Sequence, residues 1–126
     1  MMWDGFNKRK FPRLNLRCEL ILSSSTPASQ VLRMQTHNVG AGGVCVILDK
    51  PLERFSVLSL RLELDPNLPW IECRGKIMWS VPSREVVTKK ESFDTGIEFV
   101  NLQPAQQDLI RHYVGARLVE DEGSRT

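Results

Sequence analysis

From Arg13 onward the chain alternates. Leu14, Leu16, Cys18, Leu20 and Leu22 share one parity, and Asn15, Arg17 and Glu19 share the other. Successive side chains of an extended backbone point to opposite sides, so a period of two predicts a strand with one buried face. Ser23 to Pro27 predicts a polar turn. A second strand is expected over about Gln30 to His37, with Leu32 and Met34 inward and Arg33 and Gln35 outward. The β-branched run Val44 to Leu48 predicts a third. Leu58, Leu60, Leu62 and Leu64 alternate with Ser59, Arg61 and Glu63, which predicts a fourth. A long fifth is expected to place Ile71, Cys73, Gly75, Ile77, Trp79 and Val81 on one face and Glu72, Arg74 and Lys76 on the other. Pro82 to Ser92 is polar and predicts an exposed hairpin loop. Phe93, Thr95, Ile97 and Phe99 make one face of a sixth strand.

After Pro104 the period changes. Leu109, Ile110, Tyr113, Val114 and Leu118 recur every three to four residues, which predicts a helix from Pro104 to about Glu120 with a packing stripe. Six antiparallel strands with short connections and one late helix specify an all-β fold, a small six-stranded antiparallel β-barrel with a C-terminal helix against it. Residues 1–7 are expected as a flexible leader, 8–119 as the barrel domain and 120–126 as a disordered tail.

Composition narrows the function classes. The net charge of +2 is too small to indicate general polyanion binding, but its distribution is uneven. Lys8-Arg9-Lys10-Phe11-Pro12-Arg13 concentrates cations just ahead of the first strand, and Glu120, Asp121 and Glu122 lie near the other end. Three cysteines, without Cys-x-x-Cys spacing, suggest neither a disulfide framework nor a metal site with His37 and His112. Met1 to Gly5 lacks the apolar core of a signal peptide, and no apolar run nears membrane-spanning length. A cytoplasmic protein without membrane insertion is expected. Cys18 falls on an apolar parity and reads as a small core residue.

The basic run is the densest candidate chemistry. Pro12 lacks a backbone donor and disfavours helix at Phe11, so the run predicts a non-helical arm. Arginine presents a planar fork of donors that fits phosphate oxygens or a guanine edge. Asn38-Val39-Gly40-Ala41-Gly42-Gly43 joins the second and third strands, where glycines permit positive φ and close backbone approach to a ligand. A nucleotide fingerprint of the strand-to-helix kind is excluded, because this segment leads into a strand and no Gly-Lys-Ser/Thr follows. Neither histidine has a nucleophile at motif spacing, and carboxylates are scattered, so a binding protein is expected rather than an enzyme.

Taken in order, these features resemble the PilZ domain family. Arg9 and Arg13, with Lys8 beside them, match its Arg-x-x-x-Arg arm. Asn38 and Gly43 match the ends of its Asp/Asn-x-Ser-x-x-Gly loop. Gly75-Lys76-Ile77-Met78-Trp79 and Gly96-Ile97-Glu98-Phe99 look like its late-strand patterns, and the resemblance spans about Lys8 to Tyr113. It implies a six-stranded barrel with a C-terminal helix and a bacterial receptor for cyclic di-GMP, with no cofactor. The implied ligand contacts are Lys8, Arg9, Arg13, Asn38, Gly40, Gly43 and Trp79. Trp79 also reads equally well as a core residue on the parity of Ile77. One departure stands out: Gly40 occupies the Ser position, which removes on the order of 1 kcal/mol of hydrogen bonding, a several-fold loss of affinity.

Two further readings stay open. A PilZ-like protein-interaction adaptor with lost or weakened nucleotide binding is favoured by Gly40 and disfavoured by Arg9 and Arg13. A barrel for single-stranded nucleic acid needs aromatics on a basic face, whereas most aromatics here lie on apolar parities, so no nucleic-acid polymer is expected as partner. With no second domain in the sequence, the output is expected to pass through a downstream protein or through self-association as a homodimer.

Overall fold

The computed structural model describes residues 13–24, 31–83 and 91–124. The expected leader, residues 1–7, lies outside them. The elements are β1 (Arg13–Leu14), β2 (Glu19–Ser23), β3 (Val31–Gly40), β4 (Gly43–Leu48), β5 (Val57–Glu63), β6 (Ile71–Pro82), β7 (Phe93–Val100) and α1 (Pro104–Ser124). Every pairing is antiparallel. The order β3-β2-β5-β6-β7-β4 closes through β3–β4 into a six-stranded barrel, and β1 adds a short pairing on β3. Closure leaves the six long strands paired on both sides, which removes the exposed edges of an open sheet.

The alternating parity builds the core as expected. Leu20, Leu22, Leu60, Leu62, Ile71, Ile77, Ile97, Val44 and Val46 are all nearly inaccessible. Full burial of side chains this size removes about 1.5–3 kcal/mol of apolar exposure each. Ile110 and Val114 of α1 join this core, and Leu109 and Tyr113 pack at its margin. The helix is also tied to the β5–β6 turn: the Tyr113 hydroxyl donates to Asp65 (3.5 Å), and Arg117 pairs with the same carboxylate (3.8 Å). It runs to Ser124, past the end expected near Glu120, and both Gly115 and Gly123 lie within it, with no proline after Pro104 to break it.

Three departures from the expected pattern matter. The first expected strand, Arg13 to Leu22, is interrupted at residues 15–18. The buried Thr36 spans the gap: its hydroxyl donates to the Leu16 carbonyl and accepts from the Cys18 amide (2.9 Å). Second, the segment expected as an Asn38–Gly43 loop is mostly strand, since β3 runs through Gly40 and β4 starts at Gly43. Third, β6 contains a bulge, and its far end changes face.

Candidate functional site

Two single-residue insertions set the geometry. On β6, Ile77 pairs with Ile97 but Trp79 pairs with Gly96, so Met78 is extra. On β3, Thr36 pairs with Val46 but Asn38 pairs with Cys45, so His37 is extra. A bulge shifts the pleat by one residue and turns all later side chains over. Ile77 is therefore fully buried, whereas Trp79 is half-buried and Val81 is 46% exposed. The expectation of one continuous face from Ile71 to Val81 fails at Met78 for this reason.

The outcome is a cross-strand row on the outside of the barrel, Asn38–Cys45–Gly96–Trp79. The row next to it, Val39–Val44–Ile97–Ile77, is wholly buried. The core thus holds the row from behind. Trp79 lies across Gly96, where any added Cβ would collide with the indole. Gly96 is what allows a large ring to lie close to the sheet.

Asn38 and Trp79 line one concavity of about 400 Å³, together with His37, Cys45, Asp94 and Thr95. That volume suits a small molecule, with an aromatic wall and few polar groups. The Asn38 side-chain oxygen is buried without a hydrogen-bond partner among the described residues. An orphaned buried acceptor costs about 1–3 kcal/mol, so this is a position where an incoming donor gains. Asp94 adds a second acceptor group. The other two thiols are unsuited to chemistry: burial pushes both Cys18 and Cys73 up to about 11.

The backbone of Arg13 sits directly opposite Gly40, and Leu14 opposite Val39. The root of the basic arm is therefore laid along β3, two positions from Asn38. Lys8 and Arg9 lie outside the described residues. Gly40 ends β3 and is buried. Gly43 is also buried, and a Cβ there would run into the Ile97 carbonyl. The close approach that Gly43 permits is thus that of β7, and no described glycine has positive φ. Of the expected site residues, the structure gathers the Arg13 backbone, Asn38, Gly40 and Gly43 at one end of β3–β4, with Trp79 across the row. Sequence reasoning assigned no role to Cys45 or Gly96. Their parity was readable from Val44/Val46 and Thr95/Ile97, but nothing marked that face as a concavity.

A closed six-stranded barrel with a C-terminal helix and a concavity beside the root of a basic arm defines a class of small β-barrel domains. The PilZ domain family profile matches residues 7–116. The chain belongs to the PilZ domain family.

Solved structures agree on the fold. The chain is similar to the Bacillus subtilis inhibitor of motility MotI/DgrA, with TM-score 0.72 and 17% identity over 89% of this chain and 52% of that one. It is similar to the K. pneumonia MrkH–c-di-GMP complex, with TM-score 0.73 and 14% identity over 92% of this chain and 55% of that one. The PilZ domain of Escherichia coli YcgR, solved with c-di-GMP, matches with TM-score 0.67 and 11% identity over 94% of this chain and 99% of that domain. The chain therefore spans about half the length of MotI and MrkH and nearly all of the isolated YcgR domain. A search of curated proteins finds no match by sequence. Among the described residues, no helix is long and apolar enough to cross a membrane.

Proposed function

We propose that this protein is a cyclic di-GMP receptor that works as an adaptor in the bacterial cytoplasm, binding the nucleotide without transforming it. The observation that carries this reading is the buried, unpartnered Asn38 oxygen in the concavity that Trp79 walls. A guanine edge supplies the missing donor, and the indole offers a stacking surface for its ring. Arg9 and Arg13 take the phosphates or the guanine O6 and N7 edge, with Lys8 as a further point charge. Gly40 lies opposite the Arg13 backbone at the root of the arm, and Gly43 lets β7 pack against the start of β4 beneath it. The doubly charged ligand neutralises the arm and draws it over the row, which changes the surface offered to a protein partner.

Isothermal titration with cyclic di-GMP tests this. Binding is expected in the parent protein and a loss of about ten-fold or more in Arg9→Ala, since a charged hydrogen bond is worth about 1.5–3 kcal/mol. The same titration gives the stoichiometry, one ligand or a stacked pair. The second reading, a PilZ-like adaptor without nucleotide, is favoured by the missing hydroxyl at Gly40. Absence of heat at high micromolar ligand would favour it over the first.

A further inference from the structure

Between β4 and β5, residues 49–56 run alongside β6 as a strap that extends the antiparallel β5–β6 register. Its hydrogen bonds converge on the segment that carries Trp79. The Phe55 amide donates to the Ile77 carbonyl (2.6 Å), and the Ile77 amide donates to Ser56 (2.9 Å). Arg54 Nε donates to the carbonyl of Met78, the bulge residue (3.0 Å). The Leu52 amide donates to the Ser80 hydroxyl (3.1 Å). The strap therefore holds the residues on both sides of Trp79.

What the strap presents outward is unusual. Phe55 has φ of 70°, a left-handed conformation that bulky side chains rarely adopt. Phe55 is 51% exposed, and Val57 beside it is 45% exposed. The Arg54 guanidinium lies 4.5 Å and the Lys76 ammonium 5.3 Å from the ring centroid. Glycine would fit the backbone at 55 better and would expose less apolar surface. A bulky aromatic held there at conformational cost serves something other than the fold.

We propose that Phe55, flanked by Arg54, Lys76 and Val57, is the docking surface for a protein partner with an apolar pocket rimmed by carboxylates, and that the strap couples it to the nucleotide site through Trp79. The charge pattern selects this occupant. Glu98 faces Lys76 across the β6–β7 ladder and Glu53 precedes Arg54, but Arg54, Lys76 and, two positions along β6, Arg74 leave the excess positive. An aromatic anchor with cationic flanks is the composition of an interface hot spot. A membrane would need a broad apolar face, and here one ring and one valine stand out. The coupling half of the proposal rests on the cyclic di-GMP reading; the docking half does not.

Displayed random peptides selected on the parent protein and counter-selected on Phe55→Gly test it. The expected winners carry Asp or Glu beside apolar residues. They lose about ten-fold or more in affinity on Phe55→Gly and on the Arg54→Ala/Lys76→Ala double variant. Phe55→Gly is expected to keep its cyclic di-GMP affinity and to unfold at an equal or higher temperature. A clearly lower unfolding temperature would assign Phe55 to the fold and overturn the proposal. So would neutral or basic winners, or winners that bind Phe55→Gly equally well. Self-association or binding to phosphatidylglycerol vesicles that Phe55→Gly abolishes would assign the patch to a second copy or a membrane instead. Coupling is read as a change of about five-fold in peptide affinity on adding cyclic di-GMP, lost in Trp79→Ala at a nucleotide concentration that saturates that variant. Should the nucleotide bind without that change, the coupling is refuted. Should it not bind at all, the cyclic di-GMP reading falls with the coupling, and the docking half is judged on nucleotide-free protein.

Discussion

Gly96→Ala is the sharpest perturbation of the proposed site. The added methyl would occupy the space now filled by the benzo edge of the Trp79 indole. Ordinary carbon–carbon contact is roughly 3.5–4.0 Å, so the ring must retreat by about 1 Å or more. Trp79 is half-buried on the outside of the barrel and has somewhere to go. The overpacking cost therefore falls at the low end of about 1–3 kcal/mol, and alanine's lower backbone entropy in a strand returns about 0.5–1 kcal/mol. Net stability is expected to change by less than about 1 kcal/mol. Affinity behaves differently, because a displaced ring loses its stack. Stacking on an aromatic is worth about 1–3 kcal/mol per base, so cyclic di-GMP should bind about 5- to 150-fold more weakly. Isothermal titration beside urea unfolding reads both quantities. Parent-like affinity in a folded Gly96→Ala protein would show that Trp79 does not touch the ligand. Loss of more than about 3 kcal/mol of stability would show that the indole belongs to the core.

Three other outcomes are expected. Asn38→Ala removes an orphaned acceptor, so its unfolding free energy in urea should stay within about 1 kcal/mol of the parent while cyclic di-GMP affinity drops several-fold. Thr36→Val strands the Leu16 carbonyl and the Cys18 amide in a buried setting, and urea unfolding should show a loss of about 2–4 kcal/mol. Cys18 and Cys73 hold their protons in the fold up to about 11, against 9.0 for the ordinary thiol. The folded state thus binds more protons than the unfolded chain between those values. Thermal stability should fall as pH rises through that window, and Cys18→Ala should blunt the fall.

The barrel was legible because its signal is spread over many residues. The alternations around Leu20, Leu60 and Ile97 each report a buried face, and an error at one position does not change the period. Bulges are the opposite case. Met78 and His37 are single insertions without a composition of their own, yet each reverses the face of the residues after it. That is why Trp79 read equally well as core or site. The gap between β1 and β2 was hidden for a related reason: Leu16 and Cys18 keep the inward parity while Thr36 bonds this stretch through both its amide and its hydroxyl. The Asn38–Gly43 segment was misread as a loop because glycine suggests turns, whereas Gly43 serves the approach of β7. The Arg-x-x-x-Arg and Asn-x-Gly-x-x-Gly patterns identified the family but said nothing of Cys45 and Gly96, which lie between the two ends of the row.

The two-residue pairing of β1 with β3 is small, but it fixes a tether length. Arg9 is four residues from Arg13, whose backbone pairs with Gly40. Fully extended chain covers at most about 3.6 Å per residue, so the Arg9 backbone stays within about 14 Å of that anchor. A cation leashed so closely meets anything held beside Asn38 at an effective concentration of millimolar or above. Its contact then becomes an intramolecular step, and even a weak bond from the leashed cation counts toward residence time.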